Sequence, residues 1–128
     1  NYAGGFAVNY TDTVNVTSDY NVLYSNGDYV ASDGGSSYAN LTNWQIAIKK
    51  DLNSISCQPN FKSSSDLHLN NLKINNSGIH LSEVINDIDG QVRNAVNPDI
   101  GADMLPKNLA SNSCLEGSWA KTITLSLS

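Results

Sequence analysis

Charge is scarce in this chain. Charged residues make up 15% of its 128 positions, with seven Lys and Arg against twelve Asp and Glu, for a formal charge of −5. The basic residues are scattered, Lys49-Lys50 is their only adjacent pair, and arginine occurs once, at Arg93. Nucleic-acid phosphates are held by clustered Lys and Arg, so this balance excludes nucleic acid as a partner. No apolar run approaches the roughly 20 residues of a membrane-spanning helix, so no membrane span is expected. Cysteine is limited to Cys57 and Cys114, without the CxxC or histidine-rich spacing of a zinc site. In an oxidising compartment a Cys57–Cys114 disulfide would close a long loop. The alternative is two separate thiols, one after a helix and one in the tail. There is also no initiator methionine and no leader sequence, and NYAGGFAVNY at the start reads like strand from the middle of a protein. The expectation is a piece of a larger polypeptide.

Asparagine, serine and tyrosine fill the gap left by charge. Residues 1–30 alternate in short strand-like groups: Phe6, Val8 and Tyr10, then Val14 and Val16, then Tyr20, Val22 and Tyr24. Gly4-Gly5, Thr11-Asp12, Ser18-Asp19 and Asn26-Gly27 punctuate them as turns. The tyrosines can stack on one another in the interior or, exposed, stack on sugar. After a Gly/Ser loop at 31–39, Leu41, Trp44, Ile48 and Leu52 recur at spacings of three and four. This stripe predicts one amphipathic helix over about 41–53, capped by Asn40, Thr42 or Asn43, with Trp44 as its anchor and Lys49, Lys50 and Asp51 toward solvent. Further on, DLHLNNLKINNSGIHL alternates again. It places His68 and His80 on a face away from the core, as solvated strand histidines or as a metal or acid–base pair.

The densest chemistry lies in DIDGQVRNAVNPDIGAD, Asp87 to Asp103, which holds four aspartates, two glycines and the single arginine. Each Asp-Ile pair is soon followed by glycine, which predicts tight turns at Gly90 and Gly101, each anchored to the core by Ile88 or Ile100. Arg93 is placed to lock such turns by bidentate bonds to carboxylates. Asp87, Asp89, Asp99 and Asp103 are candidate calcium ligands, because calcium is bound by convergent oxygens; the full EF-hand pattern is absent. No nucleophile–base pair and no phosphate-binding glycine loop accompanies them, so no catalytic residues are assigned.

DIDGQVR followed by PDIGAD resembles the ending of secreted bacterial right-handed parallel β-helix proteins, a family of surface and polysaccharide-associated proteins of Bacteroidota-type bacteria. YNVLYSNGD, LTNWQIAIKKDLNSIS, PNF and DLHL follow in the same order, so the resemblance covers roughly Asp19 to Met104. Met104 stands where the family usually has glutamate. The resemblance implies an all-β fold: the C-terminal coils of a right-handed parallel β-helix at 1–104, with the amphipathic helix laid across them. Residues 105–128 would then be a linker and capping strand, or the start of a following module, with Trp119 and the alternation of Ile123, Leu125 and Leu127. It also implies a structural role for Arg93, Gly90, Gly101 and Trp44. The implied setting is extracellular or at the bacterial cell surface. The implied function is a non-catalytic, adhesin-like structural or interaction segment, with the parent's remaining coils and a polysaccharide or cell-surface glycan as partners. The alternative is the end of a carbohydrate-active enzyme, such as a polysaccharide lyase, with its active site upstream.

Overall fold

The computed structural model of the chain describes residues 5–105. Regular structure is sparse: β1 (Val8–Asn9), β2 (Ala31–Ser32), β3 (Ser37–Tyr38) and α1 (Leu41–Ile48). The strands form one mixed sheet in the order β1-β2-β3. Val8 pairs with Ala31 in parallel, and Ala31 pairs with Tyr38 antiparallel. Elsewhere among the described residues, pairing is limited to a parallel bridge between Val22 and Ile55 and an antiparallel bridge between Asn86 and Val92.

This corrects the expectation of a right-handed parallel β-helix: a small mixed three-stranded sheet with one short helix takes its place. The physical reason lies in where the backbone N–H groups go. Asp12, Asp19, Asp33, Asp66, Asp87, Asp99 and Asp103 each accept a main-chain N–H through the carboxylate, in place of a strand partner. Tyr20, Lys49, Asp51, Asn60 and Asn76 all have φ between 53° and 59°, which interrupts any extended run. The DLHL region is accordingly turns and irregular chain: Leu69 and Ile74 are buried, while Leu67, Ile79 and Leu81 are exposed.

Two apolar clusters hold the chain. The first joins Leu23, Val30, Ala31, Leu41 and Trp44, with Val8, Tyr10, Tyr38 and Ile48 packed against it. Trp44 is its centre, with Tyr10 and Tyr38 at ring-centroid distances of 5.9 and 5.4 Å. These two tyrosines therefore stack inward. The second joins Cys57, Leu69, Ile74, Ile100 and Leu105, with Val22 and Ile55 alongside.

Helix α1 begins where Asn40 Oδ1 accepts the Asn43 N–H at 2.8 Å. It ends at Ile48, short of the expected 53, because Lys49 adopts the left-handed conformation and caps it. Leu52 thus falls outside the stripe and is exposed. Asp51, expected in solvent, is fully buried. The left-handed turn swings it beneath the helix, where its Oδ2 accepts the Trp44 indole N–H at 2.9 Å. Its Oδ1 accepts from Ser18 Oγ, Asn21 Nδ2 and Ser54 Oγ at 2.8–2.9 Å. Among the described residues, no helix is long and apolar enough to cross a membrane. Cys114, its pairing with Cys57, and the alternating segment at 122–128 with Trp119 lie outside the described residues.

Candidate metal centre

The second cluster carries two turns that face each other across a cleft of about 140 Å³ lined by Lys62, His68, Leu69, Asp89, Gln91, Asp103 and Met104. One turn is built by local bonds between residues 62 and 68. The Lys62 N–H donates to the His68 carbonyl at 3.1 Å, the Ser63 N–H to the Asp66 carbonyl at 3.1 Å, and the Asp66 N–H to Ser63 Oγ at 2.9 Å. Asp66 Oδ1 in turn accepts the His68 N–H at 3.1 Å, and the same oxygen faces His68 Nδ1 in hydrogen-bond contact. The imidazole is therefore fixed at its Nδ1 side by its own turn.

The opposite turn is built by Asp87. Its Oδ1 accepts the N–H groups of Asp89 and Gln91 at 3.0 and 2.7 Å, and its Oδ2 accepts that of Met104 at 3.2 Å. The Asp87 N–H pairs with the Gln91 carbonyl at 2.9 Å, and Gly90 closes the turn at φ 78°. This presents Asp89 to the cleft, where its Oδ2 lies 2.9 Å from His68 Nε2. Asp103 enters from below, next to Gly101 at φ 100°. It is buried, and its Oδ2 accepts the Leu69 N–H at 2.8 Å. One nitrogen or oxygen from each of His68, Asp89 and Asp103 lies within 4.8 Å of the others, a group that could hold a metal ion.

The electrostatics follow from these contacts. Asp66, and then Asp89, hold the His68 imidazolium above its ordinary pKa of 6.5. The bond from His68 is the main cause that holds the Asp66 carboxyl below its ordinary range. Hydrogen-bonded at both ring nitrogens, a cationic His68 can donate to two carboxylates at once.

The four aspartates singled out in the sequence divide between two jobs. Asp89 and Asp103 belong to the metal-capable group. Asp87 and Asp99 serve the backbone, Asp99 accepting the N–H groups of Asn76 and Leu105 at 2.7 Å. Arg93 is turned to a different acceptor from the carboxylates expected: its Nη2 donates to the Asp99 carbonyl at 2.6 Å, and among the described residues the ion pairs are those of His68. Ile100 is buried as expected, whereas Ile88 is 72% exposed, because the Asp87 turn is anchored by its carboxylate and not by an apolar side chain.

His68 is the member of the metal-capable group that period-two reading placed on a face away from the core, as a solvated residue or as half of a metal or acid–base pair with His80. The available signal was the Asp66-x-His68 spacing, since an aspartate that accepts an N–H two residues on draws the following side chain into its own turn. His80 is exposed and lines a second cleft of about 230 Å³ with Tyr20, Leu81, Arg93 and Pro98 among its walls.

Comparisons of the chain with family profiles, with curated proteins and with solved structures found no match.

Proposed function

We propose that this chain is a non-catalytic structural or interaction segment of a larger exported bacterial surface protein, and that a divalent cation at His68, Asp89 and Asp103 ties its last turns together. The observation that carries the reading is the use made of the buried carboxylates. Asp51, Asp87, Asp99 and Asp103 all accept bonds from main-chain or side-chain donors of the scaffold. Acids committed in this way build turns and are poor general acids or bases. Calcium is the cation suggested by the carboxylates of the Asp87–Asp103 stretch, which would draw further oxygens from water. The composition, poor in charge and rich in Asn and Ser, and the resemblance of the Asp87–Asp103 stretch to surface-protein endings support the exported setting.

The second cleft supplies the partner chemistry. Tyr20, His80 and Arg93 line it beside the apolar Ile79 and Leu81, a combination that suits an acidic glycan: an aromatic face for the sugar and a guanidinium for the carboxylate. The test is to incubate the chain with a panel of acidic and neutral polysaccharides. Binding without depolymerisation, weakened severalfold by Arg93→Ala, is the expected result. Cleavage of any polymer would overturn the non-catalytic reading in favour of a polysaccharide lyase or hydrolase.

A further inference from the structure

We infer that the cleft of Tyr20, His80 and Arg93 takes one hexuronate unit, with the sugar carboxylate on the Arg93 guanidinium and the ring over Tyr20. The inference rests on the acidic-glycan reading above and names the single unit that the cleft reads.

Three features of the cleft converge on this unit. First, Arg93 is a fixed cation without an anion. It is half-buried, its N–H donates to the Ile85 carbonyl at 2.9 Å, and its Nη2 donates to the Asp99 carbonyl at 2.6 Å, so the side chain is held at both ends. Among the described residues no carboxylate pairs with it. A half-buried guanidinium without a counter-ion is costly, and a carboxylate that meets its remaining N–H groups offsets that cost. Second, the two acids on the walls are turned to the scaffold. Asp19 Oδ1 accepts the N–H groups of Tyr20 and Asn53 at 3.0 and 2.7 Å, and its Oδ2 accepts from Asn53 Nδ2 at 2.7 Å. Asp99 holds the N–H groups of Asn76 and Leu105. The remaining lone pairs of Asp19 and the ring nitrogens of the exposed His80 suit sugar hydroxyls. Between Asp19 and Asn21, whose N–H donates to Ser54 Oγ at 2.9 Å, Tyr20 is held at φ 55°, a conformation uncommon for an aromatic residue. Third, the cleft is small. At about 230 Å³ it falls below the roughly 300–1,000 Å³ of sites that enclose drug-sized ligands, which leaves room for one ring and not for a run of sugars. One carboxylate beside hydroxyls, on a ring with an apolar C–H face, is the chemistry of a hexuronate.

The test titrates the full 128-residue chain with free glucuronate, galacturonate and glucose, and with short oligouronates, by ligand-observed NMR. The expected result is one uronate per chain, bound at least about tenfold more tightly than glucose. Affinity is expected not to rise with oligomer length beyond the number of units offered. Arg93→Lys, which keeps the charge and loses the planar fork, is expected to weaken uronate binding about tenfold, and Tyr20→Ala to weaken it about 2–10-fold. Circular dichroism of each variant separates lost binding from lost folding, and the uronate-to-glucose ratio of the unaltered chain needs no variant at all. Binding confined to the oligomers would overturn this inference and leave the acidic-glycan reading standing. Glucose bound as tightly as uronate would overturn it, because the carboxylate would not be read. Uronate binding unchanged in Arg93→Lys would overturn it by placing the carboxylate elsewhere. Binding of neither the single sugars nor any acidic polysaccharide would overturn both.

Discussion

Asp51 gathers four side-chain donors from the helix and from the segments around Ser18 and Ser54. Its burial alone would push its carboxyl pKa up, but bonds from the Trp44 indole, the Asn21 amide and the Ser18 and Ser54 hydroxyls outweigh that and hold it below the ordinary 3.8. A carboxyl whose folded value is depressed contributes stability above its unfolded pKa and loses it as pH falls through the folded one. The Asp51 contribution to the melting midpoint is therefore expected to be constant above about pH 4 and to fall away below it, whereas that of His68, whose pKa is raised, is lost as the pH rises above about 6.5. Asp51→Asn should flatten the acid limb, as thermal melts across pH would record. Asp51→Ala strands four donors and is expected to cost at least about 3 kcal/mol in urea unfolding. Gly78 is a second residue-scale test. A Cβ there would sit 2.9 Å from the carbonyl oxygens of both Pro98 and Asp99. Gly78→Ala should thus destabilise by about 1–3 kcal/mol, since the atoms it meets are backbone and cannot rotate away.

At the scale of elements, the short helix and the two facing turns show what the sequence could and could not tell. Asn40 as one of three cap candidates and Trp44 as the anchor were legible, because a polar cap before a three-and-four apolar stripe has a mechanism behind it. Gly90 and Gly101 were legible as turns for the same kind of reason, both holding positive φ. The helix end was not: the stripe runs on to Leu52, and only the left-handed Lys49 and Asp51 stop it. The strands expected at 67–81 failed because alternation of Leu and His carries no information about side-chain acceptors. There, Asp66, Asn71 and Asp99 take up the N–H groups of His68, Lys73 and Asn76, and local turns take those of Ile74, Asn75 and Ser77, in place of a ladder. The same competition hid the partners of His68, which are Asp89 and Asp103 and not His80. Replacing Asn40 by alanine is expected to cost about 0.5–2 kcal/mol, read as a lower urea midpoint with an unchanged slope.

Across the whole molecule, long-range bonds join segments 33 or 34 residues apart: Ser18 to Asp51, Asn53 to Asp19, and Leu69 to Asp103. The first two fasten the Trp44 cluster, and the last fastens the metal-capable cleft to the second cluster. With so little sheet, the second half depends on polar turns around a modest core. A cation that links His68 on one turn to Asp89 and Asp103 on the other would cross-brace it. Its occupancy is thus a stability question before it is a question of chemistry. The direct measurement is the thermal melt of the chain with and without divalent cation, alongside His68→Gln. A ligand held at a hundred times its dissociation constant adds about 2.7 kcal/mol, which for a domain of this size raises the midpoint by roughly 10 °C or more. That rise in the unaltered chain, absent in His68→Gln, is the predicted result. Coincident melts with and without cation would contradict the account.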